Sequence, residues 1–86
     1  MVRVYELQAR YDSRAKFYGK AQVIIPGDGR IILQSYSTQV AEISADGKTL
    51  TIDSWYSMTT ARHIKEFALQ HGFGDVKYGA SKATKR

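Results

Sequence analysis

The sequence predicts an α+β domain: an antiparallel sheet of about four strands, built as two hairpins and covered on one face by a single C-terminal α-helix. Three observations predict it. Apolar and polar residues alternate from Phe17 to Ile25 and again across Gln39 to Ser54. Two glycine-rich turn signals, Pro26-Gly27-Asp28-Gly29 and Asp46-Gly47, interrupt the alternation. After Trp55 the period changes from two to 3.6. A sheet with one wet face needs cover on the other, and the stretch after Trp55 is the one helical pattern in the chain.

Val2 to Gln8 is rich in β-branched and aromatic residues and reads as a strand. Tyr11 to Arg14 is polar and turn-like. Phe17, Ala21, Val23 and Ile25 then share one face of a half-buried strand, with Gly19 on that side marking a bulge or close approach. A three-residue loop, Gly27 to Gly29, pairs Val23 with Leu33 and Ile25 with Ile31, which keeps the bulky aliphatics together. A two-residue loop would pair Ile25 with Ile32 instead. In the second hairpin Asp46-Gly47 signals a type I′ turn. Ile43 then faces Leu50, Ala41 faces Ile52, Glu42 faces Thr51 and Ser44 faces Thr49. A slip of one residue would bury Glu42.

At 100° per residue Ala61, Ile64, Phe67, Ala68 and His71 fall within about 120° of each other, the buried stripe of an amphipathic helix. Ser57 or Thr59 caps its start, because a hydroxyl accepts an orphan backbone N–H. Gly72 ends it in a Schellman motif, with Phe73 covering Ala68.

The chain has 86 residues, which allows one domain with a small core. Hydrophobic residues at 43% and charged residues at 24% place it among globular chains rather than disordered ones. Without cysteine, disulfide scaffolds and thiolate zinc sites are excluded. Apolar runs are too short for a membrane-spanning helix or a secretory leader, so a bacterial cytosol is the expected compartment. The net charge is +5, but four of those charges (Lys77, Lys82, Lys85 and Arg86) sit in the last ten residues. Residues 1–76 are therefore expected to form the domain, and 77–86 a basic flexible tail.

No constellation argues for catalysis or for a metal. His63 and His71 lie about 12 Å apart along the helix axis and about 80° apart around it, so they cannot share an ion. His63 is expected at the surface and His71 packed at the helix end. Ser54, Ser57, Thr59, Thr60 and Asp53 lie near His63 in sequence, but hydroxyls before a helix are caps first. No phosphate-binding loop and no paired-carboxylate cleft is present. No cofactor is expected, and the chain is expected not to be an enzyme.

Ten aromatic residues exceed what a small core needs. Tyr18 and Tyr36 are expected on the open sheet face with Lys16, Lys20, Arg30 and Gln34. Trp55 and Tyr56 stand at the strand-to-helix junction, where Trp55 seals the seam or anchors a contact.

Four segments carry a resemblance: Tyr11-Asp12-Ser13, Phe17 to Ala21, Ser35 to Ala41 and Ser57 to Phe67. With the Gly19-Lys20 pair and Thr59-Thr60-Ala61-Arg62-His63-Ile64 as its specific part, the chain resembles a family of small proteins encoded by phages and integrative elements of Gram-positive bacteria. The resemblance covers about residues 5 to 73. It implies a genomic context and no biochemical activity; short phage proteins of this kind are often accessory factors or inhibitors of host defence.

Two functions from different classes follow. The first is a non-enzymatic accessory protein that binds a host or phage protein through Tyr18, Tyr36, Trp55, Tyr56 and Arg62. The second is a nucleic-acid-binding module that uses Lys16, Tyr18, Lys20 and Tyr36 with Lys82, Lys85 and Arg86, and that loses affinity steeply with salt. Two-fold pairing of edge strands would enlarge so small a core, so a homodimer is also expected.

Overall fold

A computed structural model describes residues 2–10, 20–53, 55, 57–74 and 76–85. Six strands and one helix follow in order: β1 (Arg3–Glu6), β2 (Ala21–Ile25), β3 (Ile31–Ser35), β4 (Thr38–Ile43), β5 (Thr49–Ile52), α1 (Met58–Gln70) and β6 (Lys82–Thr84). All six belong to one antiparallel sheet in which each strand lies beside its neighbours in sequence. The class is the expected one, an antiparallel sheet carrying a helix, but the sheet has six strands rather than about four.

Both hairpin registers follow the apolar pattern. Val23 faces Leu33 across β2 and β3, and Ile43 faces Leu50 and Ala41 faces Ile52 across β4 and β5. The second turn differs from expectation. Gly47 N–H donates to Ser44 O at 2.8 Å, and Gly47 (φ +74) alone in that turn has a positive φ, whereas a type I′ turn needs Asp46 there too. Asp46 instead accepts from Ser44 Oγ and from the Lys48 N–H, which holds a wider connection open with the register unchanged.

Between β3 and β4 the register shifts, so that Leu33 faces Ala41 while Gln34 faces Gln39. Val40 is the extra residue of this bulge. Val40 and Ala41 are consecutive and both buried at this bulge. The chain reverses through Tyr36-Ser37, with Tyr36 at φ +57.

Under α1 the core gathers Leu7, Val23, Leu33, Val40, Ile43, Leu50 and Ile52 against Ile64, Phe67 and Ala68. Ser57 is the N-cap and accepts from Thr60 N–H at 3.1 Å. At the other end Phe73 N–H donates to Ala68 O at 2.9 Å and Gly72 N–H to Leu69 O at 3.3 Å, which is the Schellman ending the sequence predicts. The buried face is wider than the expected stripe and includes Thr60, His63 and Glu66.

The basic segment is the largest departure. Lys82–Thr84 is an edge strand on β5, not a flexible tail. Ile52 N–H donates to Ser81 O and Lys85 N–H to Lys48 O, each at 2.8 Å. Lys85 Nζ lies 5.8 Å from the Phe73 ring centre, beside the helix C-terminus where a cation is favoured. The physical reason is the open edge of β5, whose backbone groups need partners that no local pattern announces.

Gly72 carries two constraints at once. Its φ is +81, and a Cβ there would stand 2.9 Å from Lys85 Cε. Gly72→Ala is expected to cost about 1–2 kcal/mol in a urea melt. Because part of that cost comes from Lys85, it should be smaller in a Lys85→Ala background.

Candidate functional site

The helix leaves a flank outside the core, and the C-terminal segment returns beside it. Met58, Ala61, Arg62 and Lys65 of α1 and Tyr78 from the segment before β6 line an open, mostly apolar groove of about 380 Å³. Met58 is 72% exposed and Tyr78 59%, high values for large apolar side chains. Arg62 is exposed at the groove. The charged residues among those lining it are both basic.

Trp55 builds this groove without lining it. Its indole N–H donates to Ala80 O at 2.8 Å, and its ring lies 5.2 Å from that of Tyr78. Half-buried against the core, it pins the segment before β6 and sets the position of Tyr78. The contacts it makes are thus with the segment before β6 and with the core. Tyr78 was missed because a segment expected to be flexible offers no fixed surface.

A second cluster stands at the N-terminal end of α1. His63 Nδ1 and Ser35 Oγ share a hydrogen bond of 2.8 Å, and Ser35 Oγ lies 3.1 Å from Thr60 Oγ1. Ser57 Oγ continues the chain, donating to Thr60 Oγ1 at 3.3 Å. A serine beside a histidine is the start of a nucleophile–base pair. Here, however, Ser35 is 2% and His63 0% exposed, so no substrate reaches them in this conformation. Burial, and then the Lys20 charge, push the His63 imidazole down to about 4, so it is neutral at pH 7. The cluster is a neutral polar tie between α1 and the end of β3. His63 is thus buried, not at the surface. Its 3.6-period neighbours leave it outside the apolar stripe, and Ser35 at the end of β3 and Tyr36 in the β3–β4 turn pack against it.

Tyr36 forms part of that packing. Its ring lies 6.1 Å from that of His63, with Lys20 Nζ 5.7 Å from its centre. It sits in a turn and is not on the open sheet face as expected. Arg30 does not supply that face with free charge either: it pairs with Asp28 at 2.7 Å and Glu42 at 3.0 Å. The Arg30 N–H and guanidinium hold the Asp28 carboxyl below the usual range. Lys82 and Lys85 belong to or adjoin β6, on the far side of the sheet order from Lys20. Of the described residues of the nucleic-acid reading, Lys20 and Tyr36 therefore lie together, while Lys82 and Lys85 lie at the opposite edge of the sheet. Lys16, Tyr18, Tyr56 and Arg86 lie outside the described residues, as does Ser54.

Of the residues expected to touch a partner, Arg62 lies on the groove, Trp55 supports it, and Tyr36 packs beside His63. A smaller cleft of about 170 Å³, lined by Ile32, Gln39, Ala41, Glu42, Thr51 and Asp53, contains none of them.

A family model described as "Family of unknown function (DUF8033)" matches residues 5–84. No curated protein and no solved structure matches the chain.

Proposed function

The chain belongs to DUF8033, a family of unknown function, and from that premise we propose that it is a non-enzymatic accessory protein that holds a segment of a host or phage protein in the groove between α1 and Tyr78. One observation carries the reading: Met58 and Tyr78 expose large apolar side chains on either side of a groove whose charged residues are basic. Such a surface suits an apolar or aromatic side chain flanked by a carboxylate. Burying one such side chain contributes about 1.5–3 kcal/mol, and Arg62 offers the carboxylate a two-pronged partner. Trp55 holds one wall in place beforehand, which lowers the ordering cost of binding. The expectation that the partner is a host or phage protein rests on the resemblance given above, and occluding a working surface of that partner is how a chain without catalysis would inhibit it.

The test is a quantitative pull-down with three baits: the wild-type chain, the Met58→Asp/Arg62→Glu variant, and Thr51→Lys on the open sheet face as control. A protein retained by wild type and control, and weakened at least tenfold by the groove variant, is the expected result. Retention by the groove variant would contradict the reading. Recovery of nucleic acid that is lost with salt and indifferent to the groove variant would replace it with the second function.

A further inference from the structure

We propose that β1 is a dimerisation edge: it pairs antiparallel with β1 of a second copy about a two-fold axis at Val4, joining two six-stranded sheets into one. No residue of β1 lines the groove.

The backbone supplies the first part. Leu7 N–H donates to Ala21 O at 2.9 Å, so Leu7 and, by alternation, Tyr5 and Arg3 point their backbone groups toward β2. Val2, Val4 and Glu6 then point theirs outward. Among the described residues β1 ends the sheet, and all four of its residues are exposed. An outward row of N–H and C=O groups is a template for another strand. The side chains along it are unusually apolar for an edge, with Val2 63%, Val4 56% and Tyr5 43% exposed.

The second part is self-complementarity. A two-fold axis normal to the sheet pairs residues of the same face, so only alternate registers are allowed. Centring on Arg3 places like charges opposite each other. Centring on Tyr5 sets Val4 against Glu6 of the second copy. Centring on Val4 sets valine against valine and Arg3 against the Tyr5 ring of the second copy, a cation over an aromatic face. In that register Val4 meets Val4, and Val2 meets Glu6, through the backbone groups that point outward. It is the register that avoids like charges and uses every outward group of Val2, Val4 and Glu6.

The opposite edge makes the contrast. β6 carries Lys82 with Lys85 beside it and no acid, the charge pattern that blocks strand addition. β1 carries one charge of each sign, Arg3 and Glu6.

The experiment is sedimentation of the full chain over a concentration series, reaching roughly 1 mM. The wild type is expected to pass from monomer to dimer within it. Val4→Pro removes the outward N–H and leaves the ladder to β2 intact, and should weaken the dimer at least tenfold. Should that variant not fold, Val4→Lys places two like charges at the axis and should do the same. Thr84→Lys on β6 and Met58→Asp/Arg62→Glu in the groove should dimerise as wild type does. A wild type that stays monomeric throughout, a dimer untouched by Val4→Lys, or one broken by Thr84→Lys would overturn the proposal.

Discussion

Deleting residues 77–86 is expected to lower stability by more than about 4 kcal/mol and to abolish the cooperative melt, because the deletion removes a strand. Besides the β5–β6 ladder itself, the bonds from Ile52 N–H to Ser81 O, from Lys85 N–H to Lys48 O and from the Trp55 indole to Ala80 O go with it. Each is worth about 1 kcal/mol net, and the Ile52 and Trp55 donors would lose their partners. Ala80 and Ala83 also leave the core, which uncovers the β5 edge beside Leu50 and Ile52. For a domain of this size the total is a large fraction of everything available. Urea melts of full-length and truncated chains at low and high salt check it. A solvated tail would leave the midpoint unchanged and alter only the salt dependence.

The second large effect is a loss of stability in acid set by His63. Unfolded, the imidazole titrates near 6.5; folded, it is held at about 4 by burial and by Lys20. Above pH 6.5 neither state binds the proton and the contribution to pH dependence is nil. As pH falls from about 6.5 to about 4, the unfolded chain takes up a proton that the folded chain does not, so stability declines. Below about 4 both states are protonated and the decline from this group stops. The full effect is roughly 3 kcal/mol. His63→Gln keeps a polar partner for Ser35 and removes the titration, so its stability should be flatter across that window than that of wild type. Parallel slopes for the two proteins between pH 6.5 and 4 would contradict the buried, neutral imidazole.

How much of this was legible in the sequence depends on whether the signal was local. The Val23–Leu33 and Ile43–Leu50 registers were legible because strand alternation and turn glycines both lie within a few residues of each pair. The same holds for the Ser57 cap and the Gly72–Phe73 ending. The bulge at Val40 was not legible, since it shows only as an apolar pair in one strand whose partner decides its meaning. Nor was β6: Lys82-Ala83-Thr84 has no apolar alternation, and its partner β5 lies about thirty residues earlier in the chain. Missing β6 hid Tyr78 and so half of the groove. His63 was misplaced for a similar reason, because residues that pack against it, Ser35 at the end of β3 and Tyr36 in the turn after it, are far away in sequence. Arg62, expected to touch a partner, is exposed because helical periodicity puts it outside the apolar stripe.

The exposed flank of α1 meets Tyr78 at one surface, and Met58 offers a direct probe of it. With ¹³C-labelled methionine methyls, the Met58 signal can be followed as the chain is titrated with peptides selected against it from a random library. The expected result is that selected peptides set an aromatic or aliphatic residue beside Asp or Glu, shift the Met58 methyl with saturation, and fail to bind Arg62→Glu. Selected peptides that are basic, or that bind while the Met58 methyl stays in place, would contradict the account.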